Sequence, residues 1–261
     1  MEQLKITILG CGASGGVPAV GNNWGKCDPN EPKNNRTRAS IAIQSKETNL
    51  IVDTGPDFRL QMNRANIEDL DAILYTHAHA DHIAGIDDLR SIQRRYKKSM
   101  PAYGNQATLD ELQERFGYMF KDVNSLYLKV LDAFILSEDD FGKTMQIGDI
   151  ELTPFEQDHA SCKTLGFRFK NLAYSTDMID LNDASIEALQ GIDTWIIDGA
   201  GYFGNPITAH ANINRVQELN AKVGAANIYL THLSLMIDYS DMLEKLPDGM
   251  LPCYDGMEFL V

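Results

Sequence analysis

The sequence has no long hydrophobic run. Near its start the uncharged apolar stretch is only Ile6 to Leu9, whereas a membrane span needs about 20 such residues and a secretory signal about 7–15. Neither a membrane partner nor export is expected, and the cytoplasm is the expected location. Cysteine is scarce: Cys11, Cys27, Cys162 and Cys253 are scattered without a C-x-x-C pair, which excludes a disulfide framework or zinc knuckle and suits a reducing compartment. Positive charge is in deficit, since 23 Lys and Arg against 37 Asp and Glu leave a net charge of −14. Such a surface repels polyanions, so nucleic acid is a disfavoured partner. The densest basic run, Arg94, Arg95, Lys97 and Lys98, reads as a solvated helix face. Low-complexity segments and long linkers are absent too.

What is present is a chain of 261 residues with 44% hydrophobic content, enough for a substantial core. Short apolar runs at Ile6 to Leu9, Ser40 to Ile43, Leu50 to Val52 and Ala72 to Tyr75 read as strands bounded by turn residues. Helical spacing covers Asp57 to Ala65, Asp87 to Tyr96 and Gln106 to Phe120, where Leu109, Leu112, Phe116 and Met119 share a face. From near Gly148 the theme repeats, with strands at Ile150 to Phe155, Thr164 to Phe169, Leu172 to Tyr174, Thr194 to Ile197 and Asn227 to Leu230. Helices are expected over Asp183 to Leu189 and Ala209 to Ala221. One α/β (α+β) domain over 1–261, made of similar halves at about 1–147 and 148–261, is the expected organisation. Two packed sheets would form its middle, with helices outside.

The chemistry concentrates in His77-Ala78-His79-Ala80-Asp81-His82, directly after the Ala72 to Tyr75 strand. Residues two apart on an extended backbone share a side, so His77 and His79 can grip one cation while the following turn swings Asp81 and His82 towards a second. A lone histidine on a polar loop is usually a surface residue. Three histidines and an aspartate within six residues, in a chain with six histidines, point instead to metal. Imidazole and carboxylate donors suit zinc, manganese or iron(II) rather than calcium or magnesium. Gly10 to Gly16 lacks the ending of a phosphate-binding P-loop and the spacing of a dinucleotide fingerprint, and reads as a turn at the site rim.

The H-x-H-x-D-H pattern resembles that of the metallo-β-lactamase superfamily, residue for residue at His77, His79, Asp81 and His82. The later superfamily ligands fall on His159, Asp177 and His232, each after a strand-like run. The resemblance implies a four-layer αββα sandwich holding two divalent transition-metal ions, zinc or manganese. It implies that His77, His79 and His159 hold the first ion, that Asp81, His82 and His232 hold the second, and that Asp177 bridges them. Taken alone, Asp177 would read as a helix cap. Asp53 resembles the superfamily's early aspartate, which supports the ligands from behind; its alternative is a plain turn.

Two such ions favour hydrolysis of phosphate esters, lactones or thioesters. The opening Leu9-Gly10-Cys11-Gly12, the stretch Arg36 to Ser40, the ending Leu251 to Gly256 and the placement of His210 before His232 resemble the phosphoribosyl 1,2-cyclic phosphate phosphodiesterases of phosphonate breakdown. That resemblance implies a small cyclic phosphodiester attacked by hydroxide held at the metals, with Asp81 and His210 as catalytic residues. His210 would steady the phosphoryl oxygens or protonate the departing hydroxyl; its alternative is an exposed residue at the start of a helix. Some members of that family carry a further structural zinc on closely spaced cysteines. Cys27 stands alone here, so no third metal is expected. A tRNA 3′-processing type of endonuclease, and a lactone or thioester hydrolase, remain the alternatives, and a homodimer is the assembly allowed for.

Overall fold

A computed structural model describes residues 3–125, 127–160, 162–202 and 209–261. Among these residues two seven-stranded sheets form. The first contains β1 (Lys5–Gly10), β2 (Ser40–Gln44), β3 (Asn49–Val52), β4 (Ala72–Leu74), β5 (Met100–Gly104) and β6 (Leu131–Ile135). The second contains β7 (Met145–Ile147), β8 (Ile150–His159), β9 (Cys162–Phe169), β10 (Leu172–Ser175), β11 (Thr194–Asp198), β12 (Asn227–Thr231) and β13 (Met250–Pro252). The last strand, β14 (Glu258–Leu260), crosses back to pair antiparallel with β1, with Ile6 opposite Phe259. The halves expected at 147/148 therefore do not separate cleanly: β7 already belongs to the second sheet, and the C-terminal strand closes the edge of the first.

Period-two alternation builds the layers. In β2 and β3, Ile41, Ile43, Leu50 and Val52 face the second sheet, where they meet Leu165, Phe167, Leu172 and Ile196 in one fully buried cluster. The intervening Ala42, Ile51 and Ile73 point outwards. They pack under α1 (Phe58–Ala65), the short α2 (Ala80–Ile83), α3 (Leu89–Tyr96) and α4 (Gln106–Phe116), whose Phe58, Met62, Ile83, Leu89, Leu109 and Leu112 supply the covering face. On the far side Trp195, Ile197 and Ile228 pack beneath α6 (Ile213–Val223) and α7 (Tyr239–Lys245) through Val216, Leu219 and Met242. The result is the αββα sandwich that the resemblance implied. No helix among the described residues is long and apolar enough to cross a membrane.

Helix ends follow local chemistry. Asn105 caps α4 by accepting from the Thr108 N–H at 2.9 Å, and Asn182 caps α5 (Asp183–Ala188) through the Ser185 N–H at 2.8 Å. The helix expected from Ala209 begins only at Ile213. Asn212 is its cap, accepting from Arg215 N–H at 2.9 Å, and residues 209–211 are drawn into other bonds. The Ala211 N–H donates to Met178 O at 2.7 Å, while Ala209 O and the His210 ring bind site residues.

Direction matters more for the site. Strands β3 to β6 run parallel, as do β10 to β13, and β8 shares the direction of β10 because β9 is antiparallel to both. Asp53 follows the end of β3, His77 follows β4, His159 ends β8, Asp177 follows β10, Asp198 ends β11 and His232 follows β12. The chemistry thus gathers where strand backbones finish and polar groups are free of the ladder.

Candidate metal centre

Three of these residues leave their strands through left-handed backbone: Asp53 at φ 64°, Asp177 at φ 50° and His232 at φ 57°. Such conformations are sparsely populated for residues with a Cβ, although Asp and His tolerate them better than most, and they concentrate where a side chain must be aimed. Asp177 and His232 aim into one cradle, and Asp53 braces it from behind. His77, His79, His159 and Asp177 offer ligand atoms within 4.8 Å of one another, as do Asp81, His82 and His232. His79 is the exposed member, whereas His77, His82, His159, Asp177 and His232 are buried.

Asp177 divides the cradle. Its Oδ2 lies 3.1 Å from His82 Nε2 and 3.4 Å from His232 Nε2. Asp81 Oδ2 completes that set at 3.4 Å from His82 Nε2 and 3.5 Å from His232 Nε2. Asp177 Oδ1 faces the other way, 3.9 Å from His77 Nε2 and 3.7 Å from His159 Nε2, and His79 Nδ1 stands 2.8 Å from His77 Nε2. Around a tetrahedral ion with bonds of about 2.0–2.1 Å, neighbouring ligand atoms are roughly 3.3 Å apart. The second set matches that spacing, and the first scatters around it, from 2.8 Å between His77 and His79 to 3.9 Å between His77 and Asp177.

The hydrogen bonds behind the cradle leave the inward nitrogens as acceptors. Thr76 Oγ1 donates to Asp53 Oδ2 at 2.8 Å, so it accepts from His77 Nδ1–H at 3.0 Å. His82 Nδ1–H donates to the same Asp53 oxygen at 2.7 Å, and His159 Nδ1–H donates to Ala209 O at 2.6 Å. Nε2 of all three is left with a lone pair turned inwards. His82 Nε2 and both ring nitrogens of His232 are buried without a hydrogen-bond partner, an orphaning that costs free energy unless a cation meets them. This donor set fits two divalent transition-metal ions.

Titration behaviour reflects the same crowding. Burial, reinforced by the charge of His82, holds His77 well below the usual imidazole range. Burial would also lower His82, but the Asp177 and Asp53 carboxylates raise it well above that range. Burial raises Asp53 despite its bond to His82. Asp177 is driven well below the carboxylate range, as His232 and His82 outweigh its burial. For Asp81, burial would raise the carboxyl, but the adjacent His232 and His82 rings outweigh it and lower it.

His210 sits beside the cradle, its ring stacked on His232 with centroids 4.8 Å apart and 5.0 Å from the His159 ring. It is not the exposed helix-start residue of the alternative reading. Its side chain is 18% exposed and its Nδ1 is 2.6 Å from Oδ2 of Asp198, which is fully buried. Burial pulls His210 down, but the hydrogen bond and charge of Asp198 prevail and push it up to about 9. Asp198 was missed in the sequence. It also accepts from Met178 N–H at 3.1 Å and Ala200 N–H at 2.9 Å, and its signal was an acid ending an apolar strand, the pattern by which Asp53 was noticed.

Other sequence candidates fall into place around the cradle. Asp177 caps no helix. Cys11 O accepts from Leu233 N–H at 2.7 Å and Leu233 O accepts from Ala13 N–H at 3.1 Å, so the glycine-rich loop clamps the residue after His232. Cys27 donates to Ile237 O at 3.2 Å, bracing the same segment. Half of the basic run is neutralised: Arg95 pairs with Glu68 at 2.6 Å, and Lys98 with Asp69 at 2.9 Å and Asp71 at 3.2 Å. Thr208, two residues before His210, lies outside the described residues.

Residues 48–233 match the model of the beta-lactamase superfamily domain. The chain is 30% identical over 260 residues to an octanoyltransferase of Porphyromonas gingivalis, covering 99% of this chain and 52% of that protein. It is 29% identical over 169 residues to the exodeoxyribonuclease WalJ of Streptococcus pneumoniae, covering 61% and 57% of the two chains. The chain thus spans about half the length of these curated relatives. Among solved structures it is similar to a diphosphatase from the PhnP family, with a TM-score of 0.86 and 30% identity over 99% of this chain and 97% of that one.

Proposed function

The chain belongs to the metallo-β-lactamase superfamily, and on that premise we propose that it is a metal-dependent hydrolase of small phosphodiesters, with a cyclic phosphate such as phosphoribosyl 1,2-cyclic phosphate as the first substrate to test. The observation that carries this reading is Asp177, whose two oxygens face separate sets of donors. His77, His79 and His159 would hold one cation, Asp81, His82 and His232 the other, and Asp177 both. Zinc and manganese suit these donors. Two bound cations would acidify a water and draw charge from the phosphoryl oxygens.

The chain's own residues supply the rest. Asp198 keeps a proton on Nδ1 of His210 and favours the doubly protonated ring, so Nε2–H is available to the oxygen that departs from phosphorus. Asp53 and Thr76 hold the His77 and His82 rings in place. Asp81 borders the second set of donors, where it can act as ligand and accept a proton from the attacking water.

Phosphorus chemistry is supported by the activities for which the similar diphosphatase and exodeoxyribonuclease are named. A small substrate rather than a polynucleotide is supported by the net charge of −14 and by the pairing of Arg95 and Lys98 with acidic partners in the densest basic run. Octanoyl transfer forms no part of the reading, because nearly half of the P. gingivalis protein has no counterpart in this chain. The test is a panel of a ribose 1,2-cyclic phosphate, a 2′,3′-cyclic nucleotide, an aryl phosphodiester and a lactone, offered to the zinc- and manganese-loaded protein. Dominant lactone turnover would remove the phosphodiesterase reading.

A further inference from the structure

His232 is held differently from the other buried histidines of the cradle. Thr76 Oγ1, Asp53 Oδ2 and Ala209 O accept hydrogen bonds from the outer ring nitrogens of His77, His82 and His159 in turn. His232 Nδ1 is buried with no such acceptor among the described residues. Stacking on the His82 and His210 rings restrains its plane but does not set how far Nε2 reaches towards Asp81 and Asp177. That reach is left to the backbone, which turns at φ 57° between the end of β12 and residues 233–237.

The carbonyls that follow His232 are gripped by the segment between β1 and β2. Beyond the clamp on Leu233, Leu235 O accepts from Lys26 N–H at 2.9 Å and Ile237 O accepts from the Cys27 thiol at 3.2 Å. Residues 234–237 form a turn closed by Ile237 N–H donating to Ser234 O at 3.1 Å. Arg36 Nη1 donates to the carbonyls at both ends of that turn, at 2.7 Å to Ile237 O and 3.4 Å to Ser234 O. Its Nη2 donates to Asn34 Oδ1 at 3.0 Å, which also accepts from Tyr239 N–H at 2.8 Å. One guanidinium thus ties down the chain that leaves His232.

Arg36 is a costly way to fill this volume. It is 1% exposed, its acceptors are neutral, and its Nε is buried without a hydrogen-bond partner. A buried charge without a counter-ion is unfavourable, and an apolar side chain of like volume is often no less stable. What a guanidinium adds is a rigid fork that reaches several oxygens at once. We propose that Arg36 is a positioning residue for the second cation: by fixing the 234–237 turn it sets the reach of His232, in place of the hydrogen bond that this ring lacks. The assignment rests on the two-cation reading.

The test is a stepwise chelator competition on the zinc-reconstituted protein, in which each cation gives its own affinity. His232→Ala identifies the step of the second cation and His77→Ala that of the first. Arg36→Met should weaken the second step about 10- to 100-fold, the range for residues that orient a metal ligand, and leave the first unchanged. Arg36→Lys should recover part of the loss. In a His232→Ala background, Arg36→Met should not alter the affinity of the remaining cation. Cys27→Ala loosens the same turn more gently and should weaken the second step alone; it decides the matter if the Arg36 variants do not fold. Equal weakening of both steps, with a lowered melting temperature, would mean that Arg36 only holds the fold and would overturn the proposal. An unaltered second step in the folded Arg36 variants, or in Cys27→Ala where those do not fold, would overturn it too. A parent with a single step or none would remove the two-cation reading itself, and this assignment with it.

Discussion

Replacing Asp198 with Asn tests the proton-handling part of the account. In the parent, Asp198 Oδ2 accepts from His210 at 2.6 Å and from Met178 N–H at 3.1 Å, while Oδ1 accepts from Ala200 N–H at 2.9 Å. An amide keeps the shape and removes the charge that pushes His210 up to about 9. Without that charge, burial pulls the ring back towards its ordinary value of about 6.5, opposed only by the smaller influence of the Asp177 and Asp81 carboxylates. At pH 8 the protonated fraction then falls from about nine-tenths to about 3%, a loss of roughly 30-fold in the form able to donate from both nitrogens. At pH 6 about three-quarters of the variant's rings are still protonated, so the loss shrinks to about 1.3-fold. The sign is that of a raised pKa: the protonated form persists as pH rises until it is lost through the higher value, so the variant loses activity at lower pH than the parent. Cations in the cradle move both limbs downwards without reversing their order. The assay is a pH–rate profile on an alkyl and a 4-nitrophenyl diester, with metal content measured beside it. The larger loss should fall on the alkyl ester, whose departing oxygen needs the proton. Superimposable profiles at full metal content would refute the reasoning.

Asp53→Ala should weaken the second cation about 10- to 100-fold by freeing the His82 ring and Thr76, which competition with a chromogenic chelator reads directly; unaltered affinity would mean the aspartate is a turn residue after all. Gly55→Ala drives a methyl into the Asp81 carbonyl oxygen and should destabilise the fold by about 1–3 kcal/mol, seen as a lower midpoint in urea, while every donor to the metals is retained. His210→Ala should keep both metals and slow turnover about 10²- to 10⁴-fold on unactivated esters, measured as kcat; parent-like rates on every diester would remove its catalytic role.

Much of the site was visible in one short segment, because His77, His79, Asp81 and His82 are contiguous and histidine is rare in the chain. Asp177 and His232 were reachable through order and setting after strands, but their aim comes from left-handed backbone at strand ends, which residue type does not announce. Asp198 was missed because its partner is 12 residues away and its importance depends on the parallel pairing of β11 with β10 and β12. Strands β5, β6, β7, β13 and β14 also escaped notice. Met145–Ile147, Met250–Pro252 and Glu258–Leu260 span three residues each and carry little periodicity, and Met100–Gly104 contains a proline. Their strand character comes from the neighbours they pair with. The late start of α6 has a similar origin, since Ala209, His210 and Ala211 give their polar groups to His159, Asp198 and Met178 instead of to a first helical turn.

The central claim is that Asp177 joins two cation sites, and elemental analysis of the reconstituted protein tests it most directly. After loading with zinc or manganese and removal of excess metal, the parent should carry close to two ions per chain, and Asp177→Asn at most one under the same conditions. A parent that holds one ion or none, or a variant that still holds two with undiminished affinity, would contradict it.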